Sequence, residues 1–463
     1  MSGEPDSSRH QGRVERFMFV PVPLWVTLLA GLVVALAMIG FGALVRRGSA
    51  PGSTPGALTR AAVFIADIPT TLRHGANPVN PALATRATAP LADGLALAPG
   101  WRDDGYALFS RYDEPAGRYV VLLMRLSDGA VLRRYAPDIA AINARSKLRS
   151  AITDIRHDHA PGRYRMHHPY LMGDGGIVFG DSMAPLVRID ACSRLTWTSD
   201  GLFHHALERD ADGSFLTSAM PAVPDRPHVA PTFRDDQIAR VSATGQLLSR
   251  RSVADLLRAN GLASLWELRP YADDPFHLND IQPALSDGRA WKRGDLFLSL
   301  RNLSLVALYR PSTDKLLWWR VGPWNKQHDV NILDDHRISI FDNHALPGAS
   351  GHGFDGDYVE RHNRLLVYDF ADGRITSPYE HGFARHTIKT VTEGRGTPLS
   401  GGDLFVEETN YGRAMRMSSD GSLRWRYVSA DARRRRYMLG WSRYLDRQHF
   451  QASVEAAANA RCT

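Results

Sequence analysis

The sequence predicts an all-β chain, a six-bladed β-propeller preceded by one N-terminal transmembrane helix. Three observations predict it. Six hairpin patterns recur along the chain, five histidines stand just ahead of segments patterned as strands, and 29 consecutive residues near the N-terminus carry no charge. A chain of 463 residues can hold two or three ordinary domains, but one propeller uses most of it. A hydrophobic content of 44% with 23% charged residues is that of a globular protein.

The hairpins are Leu122–Tyr135, Leu186–Thr198, Ile238–Arg250, Leu305–Trp319, Leu365–Pro378 and Arg413–Tyr427. Each pairs an apolar run with a polar or Gly turn and a second short run, the pattern of a β-hairpin. Self-similarity at a period of tens of residues decides the fold before any local reading. Strand starts at His168-Pro169-Tyr170, His205-Ala206-Leu207, His277-Leu278-Asn279, His328-Asp329-Val330 and His386-Thr387-Ile388 precede five of these units, and Gly105–Ser110 precedes the first. Closing about six four-stranded units around a channel leaves only short edges. Equivalent positions then converge on one axis, so the histidines predict a site as well as a fold. Only Ser252–Leu265 has helical spacing, with a Ser at the cap, and it reads as a surface insertion in one unit.

Phe17 to Val45 exceeds the roughly 20 residues needed to cross a bilayer. It is longer than the apolar core of a cleavable signal peptide, so residues 17–45 read as a signal-anchor. Arg9, Arg13 and Arg16 before it against Arg46 and Arg47 after it make residues 1–16 a cytoplasmic tail. Residues 46–99 read as a linker with a short strand near Ala61–Ile65, residues 100–445 as the propeller and 446–463 as a C-terminal tail. A propeller outside the cytoplasmic membrane lies in an oxidising compartment, where Cys192 and Cys462 can be bridged across it or remain two free thiols.

The chain carries 56 Lys and Arg against 49 Asp and Glu, a formal charge of +7, with a run at Arg433–Arg436. No nucleic-acid module accompanies that run, so nucleic acid is not expected as a partner. A solvated loop, or a basic rim that draws in anionic substrates, accounts for it.

The residues around the histidines resemble the bacterial arylsulfotransferases. The similar stretches are Phe203–Phe215, Asp274–Asp280, Gly294–Asn302 and Gly322–Asn343, and a weaker resemblance runs over about Gly105 to Trp441. The motifs are His-x-Asn, a strand ending in Ser-x-Arg, Gln-His-Asp and Phe-Asp-Asn. The resemblance implies a six-bladed propeller that moves a sulfuryl group from a phenolic sulfate to another phenol through a sulfohistidine, without a nucleotide donor or other cofactor. It implies His328 as nucleophile, with His277, His205 and Arg301 as the catalytic surroundings, and Asn279 and Thr387 as substrate-binding positions. His204 competes with His205 for its place, and the seven-residue spacing to Asp212, matching His328 to Asp335, favours His205. The partners implied are an aryl sulfate donor and a phenolic acceptor, and the location is the bacterial inner membrane, single-pass, with the propeller on the periplasmic side. Unlike the best-known members, the chain lacks a separate N-terminal β domain and carries a membrane anchor.

The chemistry needs these residue types. A neutral imidazole attacks a sulfate ester without adding negative charge, and a covalent intermediate divides one transfer into two easier ones. The planar fork of Arg301 matches sulfuryl oxygens. A second imidazole moves the proton of the phenol. Clustered His also bind metals, but an arginine among the ligands argues against a bound cation, so no metal is expected. Glu407 and Glu408 are adjacent on a strand and point to opposite faces, which argues against joint glycoside chemistry. Trp197, Trp318, Trp319 and Trp425 read as packing, and the tryptophan docking repeats of quinone-dependent propellers are missing. The alternative reading is a catalytically silent propeller that binds an anionic aromatic or a glycan.

Overall fold

The computed structural model describes residues 21–48, 56–76, 91–150, 152–223, 226, 229, 233–347 and 357–462. They belong to two compact units, Met1–Pro78 and Val79–Thr463. The expected cytoplasmic tail lies outside the described residues.

The first unit holds two helices. Helix α1 (Leu24–Gly48) starts after Pro23, none of its residues is buried, and it is long and apolar enough to cross a membrane. Pro21 and Pro23 lack the N–H that a helix interior requires, so the helix starts later than the uncharged stretch does. Helix α2 (Ala57–Ala76) covers Ala61–Ile65, where the sequence predicts a strand. Ala57, Ala61, Ala62 and Ala66 favour the helix, and buried Thr59 and Ala62, three apart, share one face of it.

The second unit is a propeller-like all-β arrangement of antiparallel sheets. It opens with β1 (Gly94–Leu97), β2 (Tyr106–Asp113), β3 (Arg118–Arg125) and β4 (Val131–Tyr135). A seven-stranded sheet follows, with β5 (His167–Leu171), β6 (Ile177–Gly180), β7 (Ala184–Ile189), β8 (Leu195–Arg209), β9 (Phe215–Met220), β10 (Gln237–Val241) and β11 (Leu247–Ser252). Next come β12 (Leu278–Pro283), β13 (Leu296–Leu300), β14 (Leu305–Arg310) and β15 (Lys315–Val321) in one sheet. Strands β16 (His328–Ile332) and β17 (Arg337–Asp342) lead into a ribbon of β18 (Ala345–Pro347) and β19 (Asp357–Val359), then β20 (Arg364–Asp369) and β21 (Ile375–Thr376). The chain ends its sheets with β22 (Arg395–Pro398), β23 (Leu404–Glu408), β24 (Arg413–Met417), β25 (Leu423–Val428) and β26 (Arg443–Leu445).

All six expected hairpins are present, as β3/β4, β7/β8, β10/β11, β14/β15, β20/β21 and β24/β25. The two ends of the unit are exchanged. The C-terminal β26 pairs with β2 in the first sheet, while the N-terminal β1 pairs with β25 in the last. Both exchanges cover edges that would otherwise stay open. Strands β8, β12, β16 and β22 pack side by side in that order, and β5 touches both β8 and β26. Period-two alternation divides each strand between two cores: Leu108 and Tyr112 of β2 enter one, Ala107 and Phe109 the next.

Further expectations are corrected. His205 lies inside β8 at a break in its register, not at a strand start. His386-Thr387-Ile388 follows helix α7 (Glu380–Arg385), where His386 caps its last turn, and the strand begins only at Arg395. The Ser252–Leu265 segment forms two helices, because Gly261 at φ +73° ends the first. Its Val253, Ala254, Leu256 and Leu257 are buried in a core, so it is no surface insertion. Trp425 is fully buried and Trp318 packs on Tyr368 and Phe370, whereas Trp319 is 44% exposed.

Residues beyond β26 form helix α8 (Arg447–Asn459) rather than a bare tail. Arg133 of β4 donates from Nε to the Ala457 carbonyl (2.7 Å) and from Nη2 to those of Ala458 and Ala460 (3.1 and 2.9 Å), which satisfies the helix's C-terminal acceptors. Gly175 lies against this helix, where a Cβ would stand 2.4 Å from the Ala457 nitrogen. Cys192 and Cys462 are bonded, with their Cα atoms 5.4 Å apart.

Candidate active site

The site is built where the innermost strands begin. His168, His205, His277, Asp329, Glu393 and Trp441 stand at or just before β5, within β8, and at or just before β12, β16, β22 and β26. All six have left-handed backbone, with φ between 45° and 60°. Such angles are uncommon for residues with a Cβ, and a repeated outlier marks a repeated structural task. Each turns the chain as it enters the centre.

Buried carboxylates accept backbone N–H groups at or near the starts of the inner strands. Asp236 Oδ2 accepts the Leu278 N–H, Asp280 Oδ2 that of Val330 (2.7 Å) and Asp329 Oδ2 that of Gly396 (2.9 Å). Glu407 accepts from Trp441 and Ser442. Burial raises the pKa of Asp280 well above the ordinary carboxylate value, and its neighbour Asp329 adds to the effect.

The four sequence motifs converge on one segment, Gln327-His328-Asp329. Gln327 Nε2 donates to Ser299 Oγ and the Leu305 carbonyl, both at 3.0 Å, so the Ser of Ser-x-Arg holds the Gln of Gln-His-Asp. Asn279 Nδ2 donates to the Gln327 carbonyl at 2.8 Å. Asp329 pairs with Arg395 at 3.0 Å. His328 Nδ1 lies 2.6 Å from Asn343 Oδ1, and Asn343 is anchored by donating to the Glu393 carbonyl (2.8 Å). An amide oxygen only accepts, so Nδ1 carries the proton and Nε2 keeps its lone pair. That lone pair accepts a long bond, 3.2 Å, from the Glu393 N–H.

A line of imidazoles runs beside it. His277 Nδ1 is 2.6 Å from Asp274 Oδ2, and its Nε2 is 3.2 Å from His205 Nε2. His205 Nδ1 is 2.9 Å from His204 Nδ1, and His204 Nε2 is 3.3 Å from Asp236 Oδ1. Each N···N contact needs one proton and each nitrogen facing a carboxylate can hold one. The line offers four places for protons, where three neutral rings carry three. The ring centroid of His205 is 6.5 Å from that of His328. Trp441 closes the group, 5.7 Å from His328, 6.0 Å from His205 and 3.6 Å from His168.

Burial and then the charge of Arg301 lower the pKa of His328 well below the ordinary imidazole value, so the ring is neutral near pH 7. His205 is lowered by burial and then by His277. Burial pushes Asp274 up, but the charge and hydrogen bond of His277 overcome it and hold the carboxyl at about 2.

Arg301 follows β13 and is 1% exposed. Its Nη1 donates to Asn302 Oδ1 (2.9 Å) and its Nη2 to Asp357 Oδ2 (3.1 Å). The structure thus brings His205, His277, Arg301 and His328 into one group with Asn279 behind them. Thr387 is exposed beyond α7, and its carbonyl accepts from Arg413 at 3.4 Å. His168 joins the group through Trp441, and among the described residues its ring nitrogens have no hydrogen-bond partner.

Sequence reasoning assigned no role to Asp274, Lys326, Glu393 or Trp441. Glu393 and Trp441 take the inner-strand place that His168, His205 and His277 hold elsewhere, so a search for repeated His passes over them. Asp334, Asp335 and His336 form the one set of metal-ligand type among the described residues, on the turn between β16 and β17.

The sequence model of the arylsulfotransferase (ASST) family matches residues 173–430, more than half of the chain. The chain belongs to the arylsulfotransferase family. The match spans His205, His277, Arg301 and His328. No curated protein matches. Among solved structures, a protein of unknown function from Bacteroides caccae has a TM-score of 0.45 at 13% identity, covering 74% of this chain and 99% of its own. Hydrazine synthase of Kuenenia stuttgartiensis has a TM-score of 0.38 at 9% identity, covering 73% and 79%. At those TM-scores neither carries an argument about the family.

Proposed function

We propose that this protein is a membrane-anchored arylsulfotransferase that moves a sulfuryl group from a phenolic sulfate ester to a phenolic acceptor through a sulfohistidine at His328. The observation that carries it is the state of His328: a neutral ring, with Nδ1 held by Asn343 and the charge of Arg301 beside it. In the first step the Nε2 lone pair attacks sulfur, giving up the contact to the Glu393 N–H. The S–O ester bond breaks and its electron pair leaves with the phenolate. With its fourth place filled, the imidazole line holds one proton more than its neutral rings, and it gives that proton through His277 Nε2 to make the phenol. The ring keeps its Nδ1 proton, so the adduct is an N-sulfo imidazolium whose ring charge is balanced by its own sulfonate. In the second step the line takes the acceptor's proton, the phenolate oxygen attacks sulfur, and the N–S bond returns its pair to Nε2. Arg301 balances the sulfuryl charge through both steps. Asn279 fixes the backbone before the nucleophile, and Thr387 is retained as a peripheral substrate-binding position.

The blade count proposed is six. The seven-stranded sheet is two blades sharing the 15-residue β8, and six left-handed residues stand at six inner strands. The location proposed is the bacterial inner membrane, with α1 as signal-anchor, residues 1–16 as the cytoplasmic tail and the propeller on the periplasmic side. A bonded Cys192–Cys462 pair supports an oxidising compartment. Protease added to intact spheroplasts should remove the propeller, and full protection would reverse the orientation.

Incubation with an aryl sulfate should leave a sulfuryl group on His328, seen by mass on the intact chain. His328→Ala should abolish both the adduct and phenol release. An adduct on another residue, or turnover by that variant, rejects the mechanism. If the chain binds aryl sulfates without turning them over, the silent binding propeller takes its place.

A further inference from the structure

One carboxylate touches both cations beside the nucleophile. Asp357 Oδ2 accepts from Arg301 Nη2 at 3.1 Å and from Lys326 Nζ at 2.6 Å. The side chains of Arg301 and Asp357 are 2% and 4% exposed and that of Lys326 is 21% exposed. Lys326 stands two positions before His328, and the charge of Arg301 acts on the His328 ring, so both positive charges belong to the place where an ester's anionic group must lie. Asp274 is also near Arg301, but it is occupied by the N–H and Nδ1 of His277. Two cations and one carboxylate leave this seat with a net charge of +1.

That charge matches one class of ester. A sulfate monoester carries a single negative charge, whereas a phosphate monoester carries close to two at neutral pH, its second pKa being about 6. The two groups are nearly the same size and shape, so steric fit separates them poorly and charge must do it. In a buried site an uncompensated charge is costly, and a like charge next to it more so. With Asp357 in place, a sulfate neutralises the seat, while a phosphate leaves it negative with its oxygens against a carboxylate.

We propose that Asp357 is a specificity-determining residue that sets the seat for monoanionic sulfate esters and rejects dianionic phosphate esters. This rests on the sulfotransferase reading. The test is calorimetric binding of phenyl sulfate and phenyl phosphate to the full chain at pH 8, which needs no turnover. The unaltered chain should favour the sulfate. Asp357→Asn raises the seat to +2 and should shift the affinity ratio toward phosphate by tenfold or more. Lys326→Gln, at a side chain that reaches solvent and so burdens folding less, lowers the seat to zero and should shift the ratio the opposite way. Loss of affinity for both ligands in equal measure would mean that Asp357 only orients Arg301, and would overturn the proposal. An unchanged ratio in Lys326→Gln would overturn it even if Asp357→Asn failed to fold. If the unaltered chain binds phenyl sulfate but neither variant moves the ratio, only this inference falls. If it binds neither ester, the sulfotransferase reading falls with it.

Discussion

A nucleophilic imidazole works only if the right nitrogen is bare, and here one residue decides that. Asn343 Oδ1, 2.6 Å from His328 Nδ1, fixes the tautomer, and Asn343 is itself fixed by carbonyls of the β21–β22 connection. Asn343→Leu removes the acceptor and leaves the ring free to place its proton on Nε2. The kcat should fall by about a hundredfold, the scale of losing one preorganised hydrogen bond, with KM little changed. Steady-state kinetics check this, and an equal rise in KM with kcat intact would assign Asn343 to substrate binding instead. Much of this was legible in the sequence, because His-x-Asn, Ser-x-Arg, Gln-His-Asp and Phe-Asp-Asn each place a side chain on the Gln327–Asp329 segment. Asp357 was not legible. It sits at the end of a Gly-rich stretch with no spacing relation to Arg301, from which it is 56 residues distant, and only the β18–β19 ribbon brings the two together.

At the scale of elements, periodicity served strands better than helices. A hairpin announces itself through alternation and a turn, and all six did so. Helix α8 has only Phe450, Val454 and Ala457 on its packed face, too few apolar positions to stand out from a polar tail. Its docking depends on features remote in sequence: Arg133, Gly175 and Cys192. Cys462→Ser should therefore loosen the helix. In a chain-entropy account a bond closing a separation of 270 residues contributes at most about 6 kcal/mol. The urea midpoint should drop, and limited proteolysis should cut first after β26. Arg133→Ala should cost less, about 1–2 kcal/mol, because it removes hydrogen bonds to partly exposed carbonyls. If reduction of the bond leaves the midpoint unchanged, the helix is held by packing alone.

At the scale of the whole molecule, a centre crowded with buried histidines ties stability to pH. His167, His168, His205 and His328 all have pKa values lowered well below 6.5, in each case first by burial. A base whose folded pKa is depressed binds its proton more readily when unfolded. Its contribution is therefore fully present above about 6.5 and is lost as pH falls below that value toward the folded pKa. Buried Asp280 has the opposite sign, since its raised pKa favours the folded state at low pH, so the net loss is smaller than the histidine sum. His168 isolates the effect, because it is 3% exposed and packs on Trp441. For one histidine still neutral in the folded chain at pH 5.0, the share lost relative to pH 7.5 is up to about 2 kcal/mol. Urea unfolding followed by tryptophan fluorescence should show the unaltered chain weakening over that interval. His168→Gln, which cannot take up a proton when unfolded, should weaken by up to about 2 kcal/mol less. Parallel losses in the two proteins would mean that His168 is already protonated in the folded ring, and that its charge is balanced at the centre rather than excluded from it.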